Sequence, residues 1–306
     1  SETVIGTPTS GAGNGAAYYN NYIYLATPTQ IFRYGELNDT PTLSNALIAN
    51  GELLDGWDAT ADTLLTNTTY PGVTNATYPN HAMHVHSNNS LYICDFKDGK
   101  GLIHKIKTSK TTYEGDTNDG SQYNVLDLPF GFFPMDIESY GTDLAILAMQ
   151  TSDTTFNQGQ AALFLWDTFA DTFYAQIPVA DPLATALLNN RGLLYIFSGN
   201  RNNGFRISRY IGGYSFEDLD FFEEGYAPFA GAVDAYGGRV VWGSSTTEPG
   251  TAGVVYSLGY KNPKLPSNAR HSIVRASSTG TSPAVTAVKF AQQASGVSPR
   301  VVLGWA

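Results

Sequence analysis

Residues 182–213, PLATALLNNRGLLYIFSGNRNNGFRISRYIGG, contain three short apolar runs separated by turns rich in Asn and Gly. The first run ends at the turn 189–192, the second is LYIFS at 194–198, and the third is FRISRYI at 205–211. Such runs of four to eight residues, bounded by Gly, Asn or Pro, are typical of strands. Asn and Gly tolerate the positive φ that tight hairpin turns demand. The stretch therefore predicts an antiparallel meander that begins at Pro182, since proline suits the first residue of a strand.

The same order of strands and turns recurs six times along the chain, every ~45–70 residues. Repeated meanders of up to four strands at this period are typical of the blades of a β-propeller. We therefore predict an all-β fold, a β-propeller of six blades with up to four antiparallel strands each. The second strands of the units are residues 22–26, 91–95, 144–148, 194–198, 240–244 and 301–305, and prolines open five of the first strands at Pro79, Pro134, Pro182, Pro228 and Pro283.

The predicted domain organisation is a single propeller over residues 1–306. Blade one carries a long Asn- and Thr-rich insertion, residues 38–78, of the kind that loops tolerate at low entropic cost. The sixth unit holds two strands only, so we expect the last blade to be incomplete within this chain and the chain to be part of a longer polypeptide. Residues 1–8 could add one strand to that blade. The blades cover roughly residues 16–78, 79–133, 134–181, 182–227, 228–282 and 283–306.

The composition excludes several classes of function. The net charge is −10, with 17 Lys and Arg against 27 Asp and Glu, which leaves little basic surface for nucleic acid or an anionic membrane. The single cysteine excludes an internal disulfide framework, and no apolar run reaches the roughly eighteen residues of a membrane span. We therefore expect neither a nucleic-acid partner nor membrane insertion.

The stretch HAMHVH, residues 81–86, raises the question of a metal site. Side chains alternate along a strand, so His84 and His86 should point the same way, about 7 Å apart. Zinc needs three or four ligands, and the nearest further donors, Cys94 and Asp95, lie on the neighbouring strand. We favour structural histidines at a contact between blades, with a metal site or a ligand contact as alternatives. The prediction is that the chain holds no metal and no other cofactor.

Two acidic segments are possible cation sites. DTNDG, residues 116–120, is one residue short of a calcium loop, and the position of the final glutamate is taken by Asp127. We interpret it as a turn. FEDLDFFEEG, residues 216–225, is predicted to be a solvated hairpin between strands.

A propeller that hydrolyses sugars would need two carboxylates converging on the axial funnel. The predicted inner strands offer Asp136, Glu138 and Asp234, but their spacing brings no two of them to a working distance. The chain also lacks the S-x-D-x-G-x-T-W boxes of sialidase-like blades, a G-x-S-x-G elbow and a GxGxxG after a strand. We therefore predict that the protein is not an enzyme. Candidate ligand contacts are His84, His86, Asp136 and Asp234.

Two segments, AVDAYGGRVVWGSSTTEPGTAGVVYSLGYKNPKLP at 232–266 and VTAVKFAQQASGVSPRVVLGWA at 285–306, resemble propeller-bearing virion structural proteins of tailed bacteriophages. The resemblance lies in the pattern of the repeat, which has a strand, a Gly or Asn turn, a second strand ending in Trp-Gly or similar, and a third strand of the VYSLG type. It implies a non-enzymatic structural propeller of the virion, an extracellular particle, in the tail or associated with it. The implied partners are other virion proteins or copies of the chain itself, and a host-surface glycan or protein.

The alternative is a secreted propeller that binds or hydrolyses glycans. Aromatic residues make up 13% of the chain, and Tyr and Trp faces stack on sugars. An axial funnel lined by Asp136, Glu138, Asp234 and the histidines would supply the polar contacts. Purified virus particles and glycan-binding assays would separate the two hypotheses.

Overall fold

The computed structural model of the protein describes sixteen stretches of the chain. Within them lie the strands β1 to β22 and one short 3-10 helix, Ala230–Ala232, and these stretches contain no α-helix and no helix that could cross a membrane. The stretches are residues 15–20, 22–26, 31–34, 52–53, 81–97, 99–107, 124–150, 159–200, 204–222, 227–228, 230–236, 239–243, 254–258, 269–273, 285–291 and 300–305.

All of these strands belong to six sheets, and each sheet consists of strands that follow one another along the chain. Five sheets have four strands, and the sixth has two in the described part of the chain. Neighbouring strands run antiparallel, as β13 and β14 do, which gives the predicted meander. The predicted all-β fold of recurring blades is therefore confirmed at the level of its sheets.

The first sheet comprises β1 (Gly15–Tyr19), β2 (Tyr22–Ala26), β3 (Ile31–Tyr34) and β4 (Glu52–Leu53), and the second comprises β5 (Met83–His86), β6 (Ser90–Lys97), β7 (Lys100–Lys107) and β8 (Asn124–Phe130). The third comprises β9 (Phe133–Tyr140), β10 (Asp143–Gln150), β11 (Gln160–Trp166) and β12 (Ala175–Val179), and the fourth comprises β13 (Leu183–Asn190), β14 (Leu193–Asn200), β15 (Gly204–Gly212) and β16 (Ser215–Phe222). The fifth comprises β17 (Val233–Tyr236), β18 (Arg239–Gly243), β19 (Val254–Leu258) and β20 (Ala269–Ile273), and the sixth comprises β21 (Val285–Ala291) and β22 (Arg300–Trp305).

Three segments singled out in the sequence lie outside the described residues. They are residues 1–8, the DTNDG segment at 116–120, and the 38–78 insertion apart from Glu52–Leu53. That dipeptide forms β4, the fourth strand of the first sheet, by pairing with β3.

The chain divides into two compact units. Unit 1 comprises residues 1–144 and 166–174, and unit 2 comprises residues 145–165 and 175–306. In unit 1 the core is built on β6, whose residues Leu91 to Phe96 are all buried. A strand buried on both faces reads as a continuous apolar run, and this strand shows that pattern with one interruption, the buried Asp95. The Phe96 ring stacks on Phe133 with 3.9 Å between centroids.

The core of unit 2 is built around Trp242, which is fully buried. Its indole meets the rings of Phe197, Phe205 and Phe222 at centroid distances of 5.8, 6.3 and 5.4 Å. The next residue, Gly243, is required by a close approach, since a Cβ there would lie 2.2 Å from Cγ1 of Val285. Glycine at this position therefore lets β21 pack against β18.

The acidic run at 216–225 is not a solvated hairpin in its described part, so that prediction was wrong. Residues Ser215–Phe222 form β16, and the turn that precedes the strand uses Gly213, with a φ of 60°. Leu219 and Asp220 are both buried. Ile207 pairs with Asp220 and Ser208 with Asp218, so Leu219 is the extra residue of a β-bulge. The bulge breaks the strict alternation of buried and exposed residues that would have marked a strand in the sequence.

Candidate functional site

The two predicted candidate histidines of β5 meet a serine of β9 in unit 1. Strand β5 packs against β9, the first strand of the third sheet. His84 Nε2 and His86 Nδ1 each lie 2.7 Å from Oγ of Ser139. Both imidazoles therefore point the same way from β5, as strand alternation predicts, and converge on one hydroxyl.

The contact between His86 and Thr142 fixes the proton positions in this cluster. His86 Nε2 lies 3.0 Å from the carbonyl oxygen of Thr142, and a carbonyl can only accept, so Nε2 carries a hydrogen. Burial lowers the pKa of His86, which keeps the ring neutral and leaves a lone pair on Nδ1. The hydroxyl of Ser139 therefore donates to His86 Nδ1. It follows that Ser139 Oγ accepts the hydrogen bond from His84 Nε2.

The outer end of the cluster is a partly exposed contact between His84 and Glu138. His84 Nδ1 lies 3.5 Å from Glu138 Oε2, with the two side chains 18% and 25% exposed. A proton on His84 Nδ1 would face this carboxylate, while His86 at the other end is buried. The four side chains thus form one chain of polar contacts from the surface to the interior, which we call the His–Ser relay (His84, His86, Glu138 and Ser139).

A second polar cluster lies wholly inside unit 1 around Asp95. Its Oδ1 accepts the backbone N–H of Phe96 at 2.7 Å, and its Oδ2 lies 3.1 Å from Nε2 of His104. His81 Nδ1 donates to the carbonyl of Cys94 at 3.0 Å. Asp95, His104 and His81 are all buried. Buried polar groups that find partners in this way fix the packing of a strand pair.

Cys94 is a buried free thiol. Burial raises the pKa of the Cys94 thiol well above its usual value, and the carboxylates of Asp136 and Asp95 raise it further. A thiol held in this state is a poor nucleophile and a poor metal ligand, since both roles need the thiolate. No group of three or more His, Cys, Asp or Glu residues in the described stretches is arranged to hold a metal ion.

The other two candidate contacts, Asp136 and Asp234, hold strand backbone in place. Asp136 is buried, and its Oδ1 accepts the N–H of Ile137 at 2.9 Å. Asp234 Oδ1 accepts the N–H of Ala235 and its Oδ2 accepts the N–H of Phe290, each at 2.8 Å. Through the second bond, Asp234 ties β17 to β21 within unit 2. These bonds are structural, because each holds strand backbone in place.

Unit 2 contains a small open cleft of about 330 Å³ beside β16. The guanidinium of Arg206 lies between Asp181 at 2.8 Å and Asp218 at 2.5 Å, so its charge is neutralised within the protein. Burial raises the pKa of Asp220. The cleft is lined by Arg206, Asp218, Leu219, Asp220 and Phe221.

Exposed large hydrophobic side chains concentrate at one class of turn. They lie in or beside turns that join the first strand of a sheet to the second, or the third to the fourth. In an antiparallel meander both of these turns lie at the same end of the sheet. In unit 1 they are Tyr18, Phe169 and Tyr174, and in unit 2 they are Leu193, Ile211 and Tyr214. Val85 lies beside the turn from β5 to β6 but is less exposed than these six side chains, and Phe130 and Phe221 lie elsewhere on their sheets.

Sequence reasoning missed Ser139, which joins the two histidines of the His–Ser relay, and Thr142, whose carbonyl accepts a hydrogen bond from His86. No motif marks them, because they meet β5 only through the packing of one sheet on another. It also missed the aromatic turns, although DTFADTFY at 167–174 carries three aromatic residues between two strands. The clustering of aromatics in a turn was the signal that could have found them.

No family model matches the chain, and no curated protein matches it. Its structure is similar to solved structures of diverse origin. The Dos1 propeller matches with a TM-score of 0.55 and 12% identity over 92% of this chain and 62% of that chain. A point mutant of the Synechocystis apocarotenoid oxygenase matches with a TM-score of 0.53 and 8% identity over 95% of this chain and 65% of that one. The chain thus spans less than two thirds of the length of these two proteins.

A structure described as a putative gluconolactonase matches with a TM-score of 0.51 and 9% identity, over 93% of this chain and 83% of that chain. Identities this low establish the fold alone. Together with the six meander sheets, they show that the chain has the β-propeller fold. That fold hosts many unrelated functions, so function has to be argued from its surfaces and sites.

Proposed function

We propose that this chain is a non-enzymatic β-propeller of a bacteriophage virion, in the tail or associated with it, and that it works through surface contacts. The observation that carries the contact role is the set of six exposed hydrophobic side chains on one class of turn. Rigid aromatics in such turns bury area on binding at little cost in side-chain entropy. The partners are other virion proteins or copies of this chain, with a host-surface glycan or protein as a further partner.

The assignment to the virion rests on the repeat pattern of residues 232–266 and 285–306, which resembles that of phage structural propellers. The contact role does not depend on that assignment. It is supported by the turns alone, because four of the six exposed side chains on them are Phe or Tyr rings, and aromatic side chains are enriched at binding interfaces.

Two features support a non-enzymatic protein. Both oxygens of Asp234 are engaged by backbone N–H groups. The Cys94 thiol is buried with a raised pKa.

The rival function is a secreted propeller that binds or hydrolyses glycans. Its hydrolytic form predicts that Asp136→Asn and Asp234→Asn abolish any detected release of sugar. If hydrolysis is detected and both variants lose it while remaining folded, the non-enzymatic proposal is wrong. Its binding form places the glycan in an axial funnel, whereas our proposal places the contacts on the exposed turns.

The experiment that tests the proposal is a peptide map of purified virus particles from the phage that encodes the chain. We expect peptides of this chain at a fixed ratio to a known structural protein. Complete, infectious particles that never contain these peptides would overturn the virion assignment. The same map reports whether the polypeptide extends past Ala306.

A further inference from the structure

The loop that joins β11 to β12, residues 167–174, is held in a defined conformation. Asp167 Oδ1 accepts the N–H groups of Phe169 and Ala170 at 2.9 and 2.8 Å. The indole Nε1–H of Trp166 donates to the carbonyl of Ala170 at 2.7 Å. These three bonds engage two N–H groups and one carbonyl of the loop backbone, and their side-chain partners belong to unit 1. The loop is therefore ordered before any partner arrives, which reduces the entropy lost on binding.

A neighbouring turn supports the loop from the side. Thr168 is buried and has a φ of 69°, a left-handed conformation that non-glycine residues adopt only when their surroundings impose it. Its Oγ1 lies 3.5 Å from Nδ2 of Asn88, which also donates to the hydroxyl of Tyr92 at 2.8 Å. Asn88 thus fixes the loop to the β5–β6 turn, and part of its exposed amide surface lies next to the loop.

The ordered loop presents aromatic rings to solvent. Phe169 is 86% exposed, and Tyr174 is 57% exposed. The hydroxyl of Tyr174 donates to Oδ2 of Asp143 at 2.6 Å, which fixes both side chains. We call this surface the aromatic platform: loop 167–174 together with Asn88 and Asp143. An exposed phenyl ring on a braced loop contributes nothing to the core and is available for contact with a partner.

The charge of the aromatic platform selects the class of partner. Asp143, Asp167 and Asp171 supply three carboxylates, and residues 87–89, 140–143 and 166–174 contain no Lys or Arg. An anionic ligand would be repelled by these carboxylates. Sugar hydroxyls, by contrast, donate to carboxylate and amide oxygens, and the C–H face of a sugar ring packs on an aromatic face.

We infer that the aromatic platform binds neutral saccharides, with the Phe169 ring stacked on a sugar ring and Asp143 and Asn88 accepting hydrogen bonds from its hydroxyls. This inference rests on the proposed contact role and names the partner class for one surface of it. Anionic saccharides bind more weakly at the same place.

The test is isothermal titration of the purified chain with neutral oligosaccharides: chitotetraose, maltotetraose, and tetramers of mannose and galactose. Phe169→Ala is compared with Phe130→Ala, which removes an exposed phenyl ring of unit 1 that lies off the platform. Where the wild type binds, we expect Phe169→Ala to weaken the Kd about tenfold and Phe130→Ala to leave it unchanged. Neutral lactose should bind more tightly than anionic sialyllactose. Asp143→Asn removes one carboxylate, so the difference in Kd between the two sugars should be smaller in that variant.

Three results would overturn the inference. One is no binding of any neutral oligosaccharide. Another is neutral binding that Phe169→Ala leaves intact, and the third is tighter binding of sialyllactose than of lactose. If the wild type binds no saccharide and Phe169→Ala loses a protein partner, the aromatic platform is a protein-binding surface instead. None of these results touches the virion assignment, which the peptide map of purified particles decides separately.

Discussion

The hydroxyl oxygen of Ser139 lies 2.7 Å from Nδ1 of His86, and the serine is the donor in that bond. The direction follows because the other ring nitrogen of His86 must donate to the Thr142 carbonyl. A neutral His86 is therefore part of the native structure, and its protonation would place two N–H groups and a positive charge in a buried position.

The stability of the fold should depend on His86 at mildly acidic pH. Burial lowers the folded-state pKa of His86 below the unfolded value of about 6.5, so below that pH the unfolded chain binds more protons. The stabilisation is present in full above about pH 6.5 and is lost as the pH falls. Urea unfolding at pH 7.5 and 5.5 should show this loss in the wild type. A His86→Asn variant, although less stable, should lose less between the two pH values, and an equal loss would contradict the assignment.

Removing the shared hydroxyl should destabilise unit 1. Ser139→Ala leaves a ring nitrogen of buried His86 without this hydrogen bond, which should lower the free energy of unfolding by about 1–3 kcal/mol. Ser87→Ala is the matched control, because Ser87 is exposed and its Oγ lies 3.4 Å from Nε2 of His86. It should change the free energy of unfolding by less than about 0.5 kcal/mol. If urea unfolding gives the same loss of free energy of unfolding for both variants, the hydrogen bond from Ser139 to His86 stabilises unit 1 no more than the exposed hydroxyl of Ser87 does.

Gly243→Ala should destabilise unit 2 through one contact. The added Cβ would lie 2.2 Å from Cγ1 of Val285, and overpacking of this kind costs about 1–3 kcal/mol. Val285→Gly removes all the clashing atoms, because Cβ of Val285 would itself lie 2.4 Å from the added carbon. In a double-mutant cycle the pair should be less destabilised than the sum of the single changes. Simple additivity would show that the strand has moved and that the close approach is not what requires glycine.

The thiol of Cys94 should be inert in the folded protein. It is buried, and its pKa is raised by burial and by Asp136 and Asp95. We expect no reaction with a thiol-specific disulfide reagent at pH 8, and release of one equivalent of chromophore after unfolding in guanidinium. Rapid reaction without denaturant would show that β6 opens locally, and the reaction rate would then report the frequency of this opening.

Much of the fold could be predicted from the sequence, because its second strands are short apolar runs between turns. LAILA at 144–148 and LYIFS at 194–198 lie in β10 and β14. The outer strands were harder to predict. β20, with the sequence ARHSI, carries one strongly apolar residue, and β4 has two residues only. Both are strands because a neighbour in the sheet pairs with them, and that information is not local.

The candidate site was predicted only in part, for a related reason. Alternation along β5 places His84 and His86 on the same side, and that much is local. Ser139 and Thr142 come from another sheet, so their approach to the histidines depends on how the sheets pack. Asp234 appeared as a free carboxylate in the sequence, because its bond to the N–H of Phe290 spans 56 positions.

The support of the 167–174 loop is separate from its outward surface. The bonds that hold it come from the Trp166 indole, the Asp167 carboxylate and Thr168, and the indole also packs edge-on against Tyr92, at 5.9 Å between centroids. The outward side chains at Phe169, Asp171 and Thr172 take no part in that support. Mutation can therefore change the outward surface of the loop while the core keeps its backbone in place, so this turn is a practical site for grafting a new binding specificity.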